Sequence, residues 1–191
     1  VRVSGRVAAG GWPRQEAAGR EIAGKRLGLL GFGAIARETA RKARGLGMDV
    51  AAHDPFLAAD DPAWAGATRQ DLPALLAGAD VVSLHVPLTP GTRHLVGAAE
   101  IAAMKPGAVL INAARGGVVD EAALAAALRD GRLGGAALDV FETEPVTESS
   151  GAVFAGCPNL VLTPHVAGVT VESNARVSSM IADLVTRHLE G

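Results

Sequence analysis

Ionisable side chains follow three apolar segments of the chain, and their types define the chemistry that the ends of such segments could support. His85 precedes Val-Pro, Arg115 lies in the run Asn-Ala-Ala-Arg-Gly-Gly, and His165 follows Thr-Pro. Histidine titrates near neutral pH, so it can donate or accept a proton during a reaction. Arginine stays charged, and its planar guanidinium group can bind a carboxylate with two hydrogen bonds. Together these residues predict a site that binds a small carboxylic acid and transfers a proton to it.

A carboxylate beside the proton-donating histidine would stabilise the protonated ring and fix its tautomer. Glu142 and Glu144 follow another apolar segment and are the candidates for this role. Spacing does not distinguish His165 from His85 or His53 as the proton donor, and it does not distinguish Glu144 from Glu142 as the partner. Both choices stay open on the residues alone.

A glycine-containing turn between an apolar segment and a helical one predicts a phosphate-binding loop. Its sequence is Gly-Phe-Gly-Ala-Ile-Ala, in which Gly31 can form the tight turn and Gly33 lets the backbone approach a pyrophosphate. The small Ala36 permits close packing of the helix on the strand. Backbone N–H groups near Ala34 and Ile35, at the positive end of the helix dipole, would bind the phosphates. The loop therefore predicts a dinucleotide site.

Asp54 follows the next apolar segment, about 20 residues after the loop, where a ribose-binding acid is expected. Its carboxylate can accept hydrogen bonds from ribose hydroxyls, whereas a 2′-phosphate about 4 Å away would cost about 4 kcal/mol per charge pair at an effective dielectric constant near 20. The pattern predicts NAD rather than NADP. The alternative is that the glycines form only a turn and that Asp54 begins an Asp-Pro turn.

Short apolar segments alternate with helical ones, without hairpin signals, along most of the chain. This pattern predicts a doubly wound α/β domain (Rossmann fold) with a parallel sheet covered on both faces and ligands at the carboxyl ends of its strands. Residues 1–24 are interrupted by glycines and are predicted as an arm or linker, and 25–191 as the NAD-binding domain. The predicted strands are 27–30, 48–53, 81–85, 108–112, 136–140 and 160–163, and the predicted helices are 34–46, 71–77, 120–129 and 171–189.

The composition of the 191 residues is that of a globular domain, with 49% hydrophobic and 20% charged residues. The formal net charge of -2 carries no run of either sign, which argues against a nucleic-acid partner. The lone Cys157 cannot form an internal disulfide, and neither a signal peptide nor a membrane-spanning apolar run is visible. A cytoplasmic location without a membrane partner is the default expectation, and no metal site is predicted.

Four motifs make the chain resemble the D-2-hydroxyacid dehydrogenase family, which includes D-3-phosphoglycerate, D-lactate and glyoxylate or hydroxypyruvate enzymes. The resemblance spans nearly the whole chain. It implies an NAD-dependent oxidoreductase that interconverts a D-2-hydroxy acid and its 2-keto acid by hydride transfer. The motifs are His-Val-Pro-Leu-Thr at 85–89, the run 104–121 around Asn-Ala-Ala-Arg-Gly, Asp-Val-Phe-Glu-Thr-Glu-Pro at 139–145, and 158–165 ending in Thr-Pro-His.

The resemblance implies a role for each candidate residue. Arg115 resembles the binder of the substrate's carboxylate and carbonyl, His165 the acid/base, and Glu144 its paired carboxylate. His85 then resembles a wall residue. Asp139 resembles the residue that holds the nicotinamide carboxamide. The other positions that match the cofactor site, where Arg115 and His165 also lie, are Val86, Pro87, Thr92, Ala113 and Gly168.

Two positions of the glycine loop depart from the family pattern. Ala36 replaces the usual third glycine, and Ala34 stands where many members have arginine, so we expect a weaker grip on the pyrophosphate. Glu144 disfavours the related formate dehydrogenases, and the set Arg115, Glu144 and His165 disfavours an adenosylhomocysteine-hydrolase-like enzyme.

Further expectations concern the whole protein. Family members place a substrate domain upstream of the position matching Val1 and return to it after the last helix, so we expect this chain to bind NAD but to be nearly inactive alone. The resemblance also implies a homodimer formed through the cofactor domain. The main alternative is a corepressor-type regulatory module that keeps the dehydrogenase fold and binds NAD. The identity of the hydroxy acid is not readable from the sequence.

Overall fold

The architecture is one seven-stranded sheet in which all strand pairs are parallel, in a computed structural model that describes residues 3–190. The strand order is β3-β2-β1-β4-β5-β6-β7. The prediction of a doubly wound parallel sheet is confirmed. The strands are β1 (Arg26–Leu30), β2 (Asp49–His53), β3 (Thr68–Arg69), β4 (Val81–Leu84), β5 (Val109–Asn112), β6 (Gly135–Leu138) and β7 (Leu160–Leu162).

Among the described residues 3–190, seven α-helices connect or flank the strands. The sequence predicted α2, α3, α5 and α7, and Asp120 caps α5 as expected, accepting a hydrogen bond from the N–H of Ala123 at 2.9 Å. It missed the three shortest helices and the two-residue strand β3. The helices are α1 (Ser4–Ala8), α2 (Ala34–Gly45), α3 (Leu72–Gly78), α4 (Ala98–Ala103), α5 (Glu121–Arg129), α6 (Glu148–Gly151) and α7 (Val171–Glu190).

The amino-terminal segment lies outside the core. Helix α1 falls within the predicted arm and buries none of its residues. The segment predicted as an arm or linker thus contains one short helix. Val1, Arg2 and Gly191, which end the two predicted segments, lie outside the described residues.

Apolar side chains cover both faces of the sheet. Along β1, Leu27 and Leu29 pack into a cluster with the alanines of α2, whereas Leu30 joins a larger cluster with α3, α4 and α5. This alternation is the two-residue period of a strand, and burial on both faces explains why the strands read as continuous apolar runs. The two layers hold the sheet between helices and leave its ends free for ligands.

The strand register brings the candidate loops to one edge. Leu30 pairs with His53 of β2 and with Leu84 of β4, so these three strands end level. The chain crosses from one side of the sheet to the other between β1 and β4, and the carboxyl ends of parallel strands form a crevice at such a point. The glycine loop and the segments after β2 and β4 therefore start from the same edge.

Helix α7 buries none of its described residues, unlike helices α2 to α5, which pack against the sheet. It nevertheless carries an exposed apolar stripe, whose members are Val177, Met180, Ile181, Leu184 and Val185. Within residues 3–190, no helix is long and apolar enough to cross a membrane.

Candidate dinucleotide and acid/base site

The glycine loop has the geometry that its sequence predicts. Gly31 has φ +84°, and a Cβ atom there would lie 2.6 Å from the carbonyl oxygen of His85, so both the conformation and the contact require glycine. A Cβ atom on Gly33 would meet no atom within 4 Å. The space above Gly33 is thus open to a ligand, as expected of a residue that lets a phosphate approach the backbone.

The amino end of α2 faces this open space. The helix begins at Ala34, and its first internal hydrogen bond runs from the N–H of Arg37 to the carbonyl of Gly33. Ala36 is fully buried against the sheet, which confirms the packing predicted for a small residue there. The preceding amides and the positive end of the helix dipole can therefore bind an anion.

A groove of about 350 Å³ runs from the glycine loop to the ends of β4 and β5. It gathers seven of the predicted cofactor residues, which supports the expectation that one ligand spans these loops. His85 also lines the groove, in agreement with a wall position. The predicted residues in the groove are Gly33, Ala34, Ile35, Val86, Pro87, Ala113 and Arg115.

Asp54 is tied to the same loop. One carboxylate oxygen accepts a hydrogen bond from the N–H of Phe32 at 2.9 Å, and the other accepts one from the N–H of Phe56 at 2.9 Å. Each carboxylate oxygen has a second lone pair, so hydroxyl donors of a ribose can still be bound. The residue is half-buried beside the glycine turn, where the sequence placed the ribose-binding acid.

His165 and Glu144 form a hydrogen-bonded pair. Nδ1 of His165 lies 2.8 Å from Oε2 of Glu144, and Oε1 of Glu144 accepts the N–H of Phe141 at 2.8 Å. The hydrogen bond from His165 and then that from Phe141 hold the pKa of Glu144 below its usual range, against the opposing effect of desolvation. Donation from Nδ1 leaves Nε2 of the ring as the atom available to a substrate.

The backbone of His165 is held by Asp139. The Asp139 carboxylate is buried and accepts hydrogen bonds from the hydroxyl of Thr163 at 2.5 Å and from the N–H groups of Val166 and Ala167 at 2.9 Å each. Burial raises the pKa of Asp139, but these donors outweigh it and leave the pKa lowered. His165 itself has φ +54°, an uncommon conformation that its bonded neighbours stabilise.

Arg115 lies on a loop fixed from beneath. The buried Asn112 side chain donates to the carbonyl of Arg115 at 2.9 Å and accepts the N–H of Ala114 at 3.1 Å. The guanidinium group is exposed at the groove and donates to the carbonyl of Ala114 at 2.5 Å. With five N–H donors, it retains the capacity to bind a carboxylate.

The geometry separates the histidines that spacing could not. The ring of His85 contacts the hydroxyl of Ser83 at 3.1 Å, and burial lowers the pKa of His85. His53 faces the carbonyl of Gln70 at 3.1 Å. Neither contact supplies the carboxylate that His165 has in Glu144.

Glu142 has a different histidine partner, which the sequence reasoning missed. Nε2 of His94 lies 3.1 Å from Oε1 of Glu142. His94 does not follow a strand end, so the rule that selected the other histidines could not find it. The two glutamates that were left open as alternatives thus contact two separate histidines.

Thr92 and Gly168 are among the six predicted cofactor residues that lie outside the groove lining. The hydroxyl of Thr92 donates to the carbonyl of Pro87 at 2.6 Å, which places Thr92 at the rim of the groove. The carbonyl of Gly168 accepts the hydroxyl of Ser173 at 2.9 Å, in the loop that precedes α7. Contacts of either residue with a cofactor stay predictions.

Within residues 3–190, no cluster of three or more His, Cys, Asp or Glu residues could hold a metal ion.

This sheet order, with a glycine turn at the start of α2 and an acid after β2, defines a dinucleotide-binding domain of the Rossmann type. The family model described as "D-isomer specific 2-hydroxyacid dehydrogenase, NAD binding domain" matches residues 1–167. The chain therefore belongs to the D-isomer-specific 2-hydroxyacid dehydrogenase family, and its residues 1–167 match the NAD-binding domain of that family. The predictions of the family and of NAD as the cofactor are confirmed.

Curated relatives include dehydrogenases and reductases of several hydroxy acids. The chain is 59% identical over 185 residues to the (S)-sulfolactate dehydrogenase of Chromohalobacter salexigens, covering 96% of this chain and 59% of that enzyme. It is 39% identical over 180 residues to the hydroxypyruvate reductase of Thermotoga maritima, covering 94% of this chain and 58% of that enzyme. The chain thus spans about three-fifths of the length of these relatives.

Solved structures similar to this chain also include a dehydrogenase and a reductase of small acids. The D-lactate dehydrogenase of Aquifex aeolicus, complexed with NAD and lactic acid, matches with a TM-score of 0.87 and 32% identity, over 100% of this chain and 61% of that one. The glyoxylate reductase of Paecilomyes thermophila matches with a TM-score of 0.84 and 37% identity, over 94% of this chain and 53% of that one.

Proposed function

We propose that the protein is an NAD-dependent oxidoreductase that interconverts a D-2-hydroxy acid and its 2-keto acid. The observation that carries the proposal is the 2.8 Å hydrogen bond between His165 and Glu144, which joins two loops of the domain. Arg115 lines the groove of the same domain. A proton donor with a fixed tautomer and a carboxylate-binding cation are the two groups that reduction of a keto acid requires from the protein.

Each residue of the set has a proposed part in the reaction. Arg115 binds and orients the substrate carboxylate. His165 donates a proton from Nε2 to the carbonyl oxygen during reduction and removes it from the hydroxyl during oxidation. Glu144 accepts the Nδ1 proton of His165, keeps the ring oriented and stabilises its protonated form. When bound, NADH would supply the hydride for reduction of the keto carbon, and NAD⁺ would accept it in oxidation.

The residues present fit a bound NAD. The open space above Gly33 and the amides that start α2 suit the pyrophosphate, and Asp54 suits the unphosphorylated ribose. We propose that the nicotinamide end lies toward Asp139 and His165. The residues proposed to contact the cofactor are Gly31, Gly33, Ala34, Ile35, Asp54, Val86, Pro87, Thr92, Ala113, Arg115, Asp139, His165 and Gly168.

The similarity to (S)-sulfolactate dehydrogenase supplies one specific substrate to test. The sulfonate-bearing carbon outranks the carboxylate in the naming rules, so (S)-sulfolactate has the same spatial arrangement as a D-hydroxy acid. We propose a D-configured 2-hydroxy acid as the substrate class, with sulfolactate as its first candidate.

A panel of keto acids tests the proposal. The full-length gene product is assayed with NADH and NADPH against sulfopyruvate, hydroxypyruvate, glyoxylate and pyruvate, together with its variants Arg115→Ala, His165→Ala and the control His188→Ala on the exposed helix α7. We expect turnover with NADH that falls by roughly a hundredfold or more in the first two variants and is unchanged in the control. Unchanged turnover in His165→Ala would remove the proposed mechanism.

The corepressor-type module is the second candidate function. The cited relatives named as dehydrogenases and reductases support the enzyme instead. Under the regulatory alternative, NAD would bind and promote dimerisation, but no keto acid of the panel would be reduced.

Assembly and location belong to the same proposal. We propose a cytoplasmic homodimer formed through this domain, with no nucleic-acid partner. The exposed Trp12 of the amino-terminal segment, which leaves 81% of its surface accessible, supports an assembled contact for that segment. Sedimentation velocity over a range of protein concentrations tests the dimer, and Trp12→Ala should weaken it.

A further inference from the structure

Three side chains near the His165–Glu144 pair form a second network. Oε1 of Glu142 lies 3.1 Å from Nε2 of His94 and accepts a hydrogen bond from the N–H of Glu121 at 3.2 Å. Oε1 of Glu121 in turn accepts the N–H of Glu142 at 2.7 Å. We call His94, Glu121 and Glu142 the clasp.

The clasp joins three separate loops. His94 belongs to the segment after β4, Glu121 is the first residue of α5, and Glu142 follows β6. Thr92 lies in the segment after β4, Arg115 in the loop that leads into α5, and Glu144 in the segment after β6. The residues proposed for cofactor and substrate therefore lie on loops that the clasp connects directly.

Backbone contacts show how closely these loops approach one another. The N–H of His94 donates to the carbonyl of Gly117 at 2.8 Å. A Cβ atom on Gly116 would lie 1.7 Å from the carbonyl oxygen of Phe141, so only glycine permits the approach of the two later loops. The clasp reinforces contacts that leave little room for adjustment.

Charge attraction alone does not explain the clasp, because it brings the like-charged carboxylates of Glu121 and Glu142 near each other. Desolvation raises the pKa of Glu121, and the charges of Glu142, Asp120 and Glu144 add to this effect, while the hydrogen bond from the N–H of Glu142 opposes it. The reciprocal bonds to the backbone and the contact with His94 offset the repulsion. The hydrogen bonds that offset this electrostatic cost fix the orientation of the backbone N–H groups that donate them.

We propose that His94, Glu121 and Glu142 are positioning residues that fix the turn at 141–144 so that Glu144 meets His165. The turn begins at Phe141, whose N–H donates to Glu144, and Glu142 is anchored at both its N–H and its carboxylate. The importance of this arrangement for catalysis rests on the proposed function, but the positioning itself is measurable without substrate.

The pKa of Glu144 reports the positioning, because hydrogen bonds from His165 and Phe141 keep it low. The test compares Glu142→Ala with Glu142→Gln by NMR titration of the glutamate carboxyl carbons. Glu142→Ala removes the acceptor oxygen, whereas Glu142→Gln keeps an acceptor of the same reach. We expect the pKa of Glu144 to rise in the alanine variant and not in the glutamine variant.

The sign of the change separates positioning from simple electrostatics. Both variants remove the same negative charge, and this loss alone would lower the pKa of Glu144 or leave it unchanged in both. A rise confined to the alanine variant therefore requires movement of the turn. Equal values of the Glu144 pKa in the two variants would overturn the proposal.

A second measurement keeps the proposal testable if Glu142→Ala does not fold. Glu121→Ala removes the acceptor for the N–H of Glu142, and Glu121→Gln keeps it. In the alanine variant we expect the Phe141 amide to exchange with solvent on the order of tenfold faster or more, with the pKa of Glu144 raised. Unaltered Phe141 exchange in Glu121→Ala would contradict the clasp. If instead the enzyme assay failed, the proposed function would fall while these results stood.

Discussion

Nδ1 of His165 lies 2.8 Å from Oε2 of Glu144, although 21 residues separate them in the chain. One residue follows β7 and the other follows β6, and these neighbouring parallel strands end at the same edge of the sheet. The pairing is thus a product of the sheet order, and it converts two exposed side chains into a unit with a defined proton position.

Replacing His165 with alanine should raise the pKa of Glu144, because the hydrogen bond from His165 is the largest cause of its depression. A carboxyl group with a lowered folded-state pKa stabilises the fold above its unfolded-state pKa, and the contribution is lost as the pH falls through the folded-state value. The variant should therefore lose less stability between neutral pH and acid. Carboxyl NMR titration and urea unfolding at several pH values measure both effects. The control His188→Ala should behave as the parent does.

Gly31 and Gly33 provide a matched pair for separating folding from binding. Gly31→Ala should lose about 2 kcal/mol or more of unfolding free energy, because the new methyl group meets the His85 carbonyl at a positive φ. Gly33→Ala should change stability by less than about 1 kcal/mol, since its methyl group enters open space. It should weaken NAD⁺ binding by roughly tenfold, about 1.4 kcal/mol. Urea unfolding and calorimetry distinguish the two, and equal stabilities would refute the assignment.

Asp139→Asn should loosen the loop of His165. An amide group presents donors where Asp139 now accepts the N–H groups of Val166 and Ala167, so at least one contact becomes unfavourable. We expect a loss of about 1–3 kcal/mol in unfolding free energy and faster exchange of the two amides. The exposed Asp130 is the matched control, and Asp130→Asn should stay within about 0.5 kcal/mol of the parent.

Asp54 should set the preference for NAD over NADP. Repulsion between its carboxylate and a nearby 2′-phosphate would weaken NADP binding by up to about 4 kcal/mol, which is about a thousandfold in affinity. Asp54→Asn removes the charge but keeps one acceptor oxygen for the N–H of Phe32 or Phe56. Calorimetric titration with both cofactors should therefore show a preference in the parent that narrows in the variant. Equal affinities in the parent would exclude this role of Asp54.

Local patterns were sufficient to predict most of the fold. Apolar runs, the glycine turn and the cap at Asp120 placed six strands and four helices within two residues of their bounds. The pattern failed for α4, whose six residues follow Gly97, and for β3, which has two residues. A helix of six residues has fewer than two turns, and a strand of two residues has a single period. Periodicity therefore cannot identify either element.

The pairing of the site residues could not be predicted from spacing. Glu142 and Glu144 are two positions apart, and the partner of each depends on how the turn after β6 packs against other loops. The left-handed backbone of His165 is equally invisible in the sequence, because Asp139 stabilises it through contacts with residues after β7. The family resemblance selected His165 and Glu144, and the structure supplies the contact that explains the choice.

The buried Asp139 carboxylate has a consequence for how the site is assembled. Its three donors come from the protein itself, so the loop of His165 acquires its shape during folding and needs no ligand to impose it. Ligand binding therefore causes little loss of conformational entropy in this loop. In the proposed reaction, the imidazole of His165 would therefore be preorganised before a hydroxy acid binds, and binding energy from the substrate would remain available for the transition state.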